Sequence, residues 1–218
     1  MLGAFALLAA LFVTFPQLDI AASAVFFHDG QWAFSGDNLP LFVALYRGTP
    51  RVGQGLLIIL TAGLLLGCLP RLDWLRARRV VLGFTLAGAL LGPVLLVDAT
   101  LKDYWGRARP STVEAFGGDK HFSAAFVPTD QCEKNCSFVS GHVATASFIM
   151  AFGWLGAPTI RRRWLLASLA SGGLLAIVRM SAGGHFLSDT VFAWFATYLG
   201  LYLAELLFRR LNWLPRSP

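Results

Sequence analysis

Apolar residues arrive along this chain in long runs, and polar residues in short clusters between them. The runs cover Leu2 to Phe15, Val52 to Leu69, Val80 to Leu101, Val143 to Leu155, Trp164 to Val178 and Phe186 to Phe208. A helix crossing the hydrocarbon of a bilayer needs about 20 such residues. The first run therefore has to continue or tilt past Pro16, and the fourth has to start before Val143. The pattern predicts an all-α polytopic membrane protein with six transmembrane helices, forming a single integral-membrane domain over 1–218. Asp19 to Arg47 reads as a loop with short interfacial helices outside the membrane. Lys102 to Gly141 reads as a polar, turn-rich connection. The first run is read as a retained span: Ala22-Ser23-Ala24 resembles a cleavage site, but no positive residue precedes the run.

Composition agrees with this class, since 56% hydrophobic against 14% charged residues lies outside the range of ordinary soluble domains. The net charge of +6 does not point to nucleic acid, because the cations sit directly beside apolar runs. Ten of the 18 Lys and Arg residues fall in three clusters: Arg71, Arg76, Arg78 and Arg79; Arg161, Arg162 and Arg163; Arg209, Arg210 and Arg216. Six spans put all three clusters and both termini on one side, which the positive-inside rule makes the cytoplasm. Lys102 to Gly141 and Met180 to His185 then face outward, so the expected setting is a bacterial inner membrane with the chemistry on the periplasmic side.

Three polar clusters meet at that face. In the first, Lys102 and Arg109 are two cations able to hold one phosphate, one as a point charge and the other as a two-toothed donor. Asp98, four residues before Lys102 on the same helical face, is placed to position its ammonium. In the second, Ser140, Gly141 and His142 offer a hydroxyl, a backbone N–H and an imidazole at a helix start, suited to an oxyanion and a proton donor. In the third, a helix beginning near His185 puts His185 and Asp189 at i and i+4. The carboxylate would then accept from one ring nitrogen and leave the other free to attack. Gly183 and Gly184 clear the backbone for an anion, and Arg179 supplies a planar cation. Singly, these clusters also fit snorkelling cations, a helix cap, an interfacial histidine and a structural histidine–carboxylate pair.

In order, spacing and placement, Lys102-x6-Arg109-Pro110, Ser140-Gly141-His142 and Arg179-x5-His185-x3-Asp189 resemble the three-part signature of the type 2 phosphatidic acid phosphatases. The family also includes soluble acid phosphatases and vanadium haloperoxidases. Its usual Pro before the Ser-Gly-His is Val139 here, and its usual Ser before the third-motif arginine is Val178. The resemblance implies metal-independent hydrolysis of a lipid phosphate with no cofactor. His185 would attack phosphorus, Asp189 orient the ring, and His142 protonate the leaving oxygen. Lys102, Arg109, Arg179, Ser140 and Gly141 would hold the equatorial oxygens. The implied substrates are lipid A, undecaprenyl pyrophosphate, phosphatidylglycerophosphate and phosphatidate, with the outward site and long polar loop tilting towards lipid A. A lipid-to-lipid phosphotransferase and a non-catalytic lipid-binding or transport protein are the alternatives. The bilayer and the lipid are the partners; oligomeric state is left open.

Cys132 and Cys136 in the outward loop form a possible disulfide that would brace the second cluster, and Cys68 reads as packing. Arg107 and Lys120 could extend the anion site towards a second phosphate or a sugar headgroup, but with Asp103, Glu114 and Asp119 near them in sequence they are expected to pair at the surface. Trp32, Tyr104 and Trp105 are expected to be interface anchors, and His28 and His121 carry no assigned role.

Overall fold

The computed structural model describes residues 1–215; Arg216, counted above in the third basic cluster, lies outside them. The chain is mostly helical. Helix α1 (Leu2–Thr14) meets α2 (Gln17–Ala24) at a bend of 85°, with Pro16 between them. A two-residue hairpin, β1 (Phe27–His28) and β2 (Gln31–Trp32), is a small departure from the all-α expectation. Helix α3 (Pro40–Leu66) starts well before Val52, with Pro40 in its first turn, where the missing amide hydrogen costs nothing. The short α4 (Asp73–Arg76) leads into α5 (Arg79–Ala89). That helix continues as a π-helix over Leu90–Leu101, containing Pro93, and ends in α6 (Lys102–Tyr104). Two short 3₁₀ turns, Pro110–Thr112 and Glu114–Phe116, lie in the polar connection. Helices α7 (Gly141–Ser147) and α8 (Ala151–Trp154) flank a 3₁₀ turn at Phe148–Met150, followed by α9 (Pro158–Ser181) and α10 (Leu187–Arg210).

Among the described residues four helices are long and apolar enough to cross a membrane: Pro40–Leu66, Arg79–Tyr104, Pro158–Ser181 and Leu187–Arg210. The bent α1–α2 pair brings the number to as many as five. The fourth run differs from expectation in being a short helix from Gly141 to Trp154 interrupted by its 3₁₀ turn.

Helix α10 is the hub, packing against α5, the π-helix, α7 and α9. A Cβ on Gly200 would come within 2.3 Å of Gly92, so the π-helix and α10 cross backbone to backbone. One apolar cluster, around Val97, Phe138, Val143, Leu175 and Phe192, lies beneath the polar loops. A second, around Phe84, Phe148, Trp154 and Phe208, fills the other half. Lys102 closes the third run, Gly141 opens α7, Arg179 ends α9 and Asp189 lies in the first turn of α10. These positions share one end of the bundle, and Arg79, Arg161, Arg209 and Arg210 lie at the opposite helix ends.

Candidate active site

His185 lies in the link between α9 and α10 and is 1% exposed. Its Nδ1 is 2.7 Å from the carbonyl oxygen of Ser137, and 3.8 Å from Asp189 Oδ2. The ring is therefore held by a peptide carbonyl rather than directly by the carboxylate, because α10 begins at Leu187, later than expected. A carbonyl only accepts, so Nδ1 carries the hydrogen and Nε2 is the bare nitrogen. Burial, reinforced by Arg179 and Arg109 and opposed by Asp189, pushes the His185 imidazole down to about 3.

Asp189 is saturated by other donors. Its Oδ2 accepts from the Ser137 hydroxyl at 2.5 Å and the Phe186 N–H at 2.8 Å, and its Oδ1 accepts from Arg107 at 2.5 Å. Arg107 is not a surface residue as expected: its side chain is fully buried and also donates to Asp19 at 2.8 Å and to Ser188 at 2.8 Å. Asp19, equally buried, accepts from the Ser188 N–H and hydroxyl. Burial alone would pull Arg107 down, but Asp189 and Asp19 hold it above its usual range. A cation between two carboxylates thus ties α2 to the first turn of α10. Asp19 went unnoticed in the sequence because it falls in a segment without a motif.

The anion-binding candidates surround this core. Arg179 is 4% exposed, with its guanidinium 4.8 Å over the Tyr46 ring, and its buried Nε has no partner. Ser140 precedes the first residue of α7, but its buried hydroxyl also has no partner and makes no cap. Unpartnered buried donors are costly, and a bound oxyanion would satisfy both. Lys102 Nζ lies 3.4 Å from Asp98 Oδ1. A Cβ on Gly141 would be 2.7 Å from that oxygen and 3.3 Å from the ammonium, so glycine is what admits the pair. Arg109 donates to the Asn135 carbonyl at 2.7 Å. His142 stacks on Tyr46, feels the positive fields of Arg179, Lys102 and Arg109, and lines a cavity of about 350 Å³ with Lys102 and Gly141.

Other expectations need revision. A Cβ on Gly184 would come within 2.5 Å of the Arg179 guanidinium, and one on Gly183 within 2.4 Å of Trp32. These glycines make room for the protein's own side chains rather than for a ligand. Trp32 packs with Phe27 and Phe116, and Trp105 stacks on Phe138, so neither is a simple interface anchor; Tyr104 is 79% exposed. Lys120 pairs with Asp119 at the surface, and His121 lies 3.2 Å from Glu114. Cys132 and Cys136 are joined as a disulfide, directly before Ser137; Cys68 is an exposed free thiol. Among the described residues no group of three or more His, Cys, Asp or Glu is placed to hold a metal ion.

A sequence profile of the PAP2 superfamily matches residues 78–213. The chain is 36% identical over 205 residues to a lipid A 4'-phosphatase of Francisella tularensis subsp. novicida, covering 91% of this chain and 90% of that one. It is 42% identical over 109 residues to a lipid A 4'-phosphatase of Rhizobium leguminosarum, 50% of this chain and 46% of the relative. A lipid A 4'-phosphatase of Rhizobium etli is 40% identical over 123 residues, 56% of this chain and 47% of the relative. No solved structure matches the chain. The match along most of both chains, together with the site geometry, places this chain in the PAP2 superfamily, as a phosphatase similar to the lipid A 4'-phosphatases.

Proposed function

We propose that this protein removes a phosphate from lipid A at the periplasmic face of the bacterial inner membrane, through a phosphohistidine on His185. The observation that carries the reading is the His185 ring: buried, neutral, fixed through Nδ1 to the Ser137 carbonyl, and leaving Nε2 bare among cations. The lipid A assignment rests on what the similar proteins are called. A lipid suits the cavity beside His142, whose lining combines Lys102 and Gly141 with apolar Leu57, Val94 and Phe148. The periplasmic orientation is supported by the arginine-rich helix ends lying opposite the site. Six crossings in one domain over 1–218 follow if the bent α1–α2 pair and the short Gly141–Trp154 segment each count as one.

In this reading Arg179, Arg109 and Lys102, with the Ser140 hydroxyl and the Gly141 N–H, hold the three non-bridging phosphate oxygens. As Nε2 of His185 bonds to phosphorus, the bond to the leaving oxygen breaks and His142 gives that oxygen a proton. Asp189 offsets the positive charge that develops on the His185 ring. Water then attacks phosphorus, the N–P bond breaks, and His142 takes the water's proton.

Phosphate release by purified protein in detergent with EDTA tests this reading. The panel is lipid A, undecaprenyl pyrophosphate, phosphatidylglycerophosphate and phosphatidate, with wild type compared with His185→Ala. The proposal expects release from lipid A that the substitution abolishes. Release from another lipid alone would reassign the substrate, and no release from any lipid by folded protein would remove the hydrolase reading.

A further inference from the structure

Tyr46 lies in α3, outside the three sequence motifs and before the residues matched by the superfamily profile. In a regular helix its carbonyl would accept from the amide four residues on. That residue is Pro50, inside α3, which has no N–H. The oxygen is left over, and His142 Nε2 lies 3.0 Å from it. The Tyr46 ring also stacks on the His142 imidazole, with centroids 5.0 Å apart and planes at 11°. The Arg179 guanidinium lies 4.8 Å over the same ring. One turn of α3 thus touches both the acid–base histidine and a phosphate-holding arginine.

We infer that this turn is a positioning device for His142: Pro50 withholds an amide, and the freed Tyr46 carbonyl holds the ring with Nε2 protonated. A carbonyl cannot donate, so Nε2 keeps its hydrogen throughout. The free enzyme rests with Nδ1 bare: a singly protonated phosphate group hands its proton to Nδ1 on binding, Nδ1 gives it to the leaving oxygen as the bond to phosphorus breaks, then takes a proton from the attacking water and returns it to the released phosphate. Tyr46 acts through His142 and Arg179; Pro50 also lines the cavity assigned to the lipid, so its action through His142 is read from the tautomer and not from KM alone. The catalytic consequence rests on the phosphatase reading, whereas the tautomer does not.

The test uses the full chain in detergent with ¹⁵N-labelled histidine, the His142 signals being identified by their loss in His142→Gln. Wild type should show the Nε2–H tautomer. Pro50→Ala restores a competing amide and should shift His142 towards the Nδ1–H form, lowering kcat about tenfold while KM changes less than about twofold. Tyr46→Leu keeps the carbonyl, so it should retain the Nε2–H signal and raise KM through the loss of the ring beneath Arg179. An Nδ1–H tautomer in wild type overturns the inference, as does a folded Pro50→Ala protein with tautomer and kcat unchanged. If Pro50→Ala does not fold, the wild-type and Tyr46→Leu spectra decide. Absence of turnover in wild type would count against the phosphatase reading, with the tautomer comparison still deciding the positioning.

Discussion

His185 hangs from the peptide carbonyl of Ser137, its Nδ1 2.7 Å from that oxygen, while the Asp189 carboxylate stands at 3.8 Å. The backbone therefore selects the tautomer, and the proposed mechanism gives the carboxylate the task of charge stabilisation. Asp189→Asn should preserve the bare Nε2 and lower kcat by roughly 10–100-fold. That is less than the ~10⁴ lost where a carboxylate itself fixes the tautomer. Steady-state kinetics on folded protein, well below its melting temperature, checks this, and a loss of ~10⁴ would return the tautomer role to Asp189.

Removing the cation shared by Asp19 and Asp189 should be far more damaging than removing either carboxylate. Arg107→Met leaves two buried carboxylates facing each other and should cost about 3–5 kcal/mol, the range for breaking a buried ion pair. Asp19→Asn leaves Arg107 still paired with Asp189 and should cost less. Thermal melts of both variants and the double variant in detergent would show the ordering; a more stable Arg107→Met protein would contradict it.

Depression of His185 to about 3 fixes the sign of its pH effects. If His185 attacks phosphorus as proposed, activity should show no acid limb from it between pH 7 and 5, since its ring stays neutral there. Below the free-imidazole value of about 6.5, the unfolded chain binds a proton at this position that the folded one refuses. Its contribution to stability should therefore be complete above about pH 6.5 and fall as pH drops towards 3. The comparison is the difference in melting temperature between wild type and His185→Asn across pH 4–7, which should narrow as pH falls. A difference that stays constant with pH would show that the ring is not held neutral.

The Cys132–Cys136 disulfide closes a short loop whose next residue, Ser137, holds both His185 and Asp189. The Cys136 N–H also donates to the Lys102 carbonyl at 2.8 Å. Opening the loop should cost about 2 kcal/mol on a chain-entropy basis and lower kcat about three- to tenfold. Activity and melting temperature of the Cys132→Ser, Cys136→Ser double variant would measure both. Wild-type values for each would leave the disulfide without influence on the site.

The long apolar runs announced the helices because crossing hydrocarbon demands continuous apolar surface. The bend at Pro16 and the π-helix after Ala89 were not legible, since they depend on how those segments pack. The groups within the three motifs were named as candidates from their spacing, and the structure places Lys102, Arg179, Ser140 and His142 at the same end of the bundle as His185. What joins the motifs lay outside them. Arg107 looked like one surface charge among several until Asp19, far away in sequence, buried it. Ser137 was invisible because it works largely through its carbonyl, an atom every residue carries. Tyr46 had one readable signal, a proline four residues later, but that frees a carbonyl only if both residues share a helix, and the sequence placed Tyr46 in a loop; nor does it reveal which group donates to that oxygen.

The most direct test of the central claim is to trap the intermediate. Wild type, His142→Gln and His185→Asn would be mixed with lipid A labelled with ³²P at the scissile phosphate, then quenched in alkali, where a phosphohistidine survives. Label should stay on wild type, accumulate or persist longer on His142→Gln if water attack slows, and be absent from His185→Asn. Label on folded His185→Asn, or wild-type turnover that never labels the protein, would contradict the account.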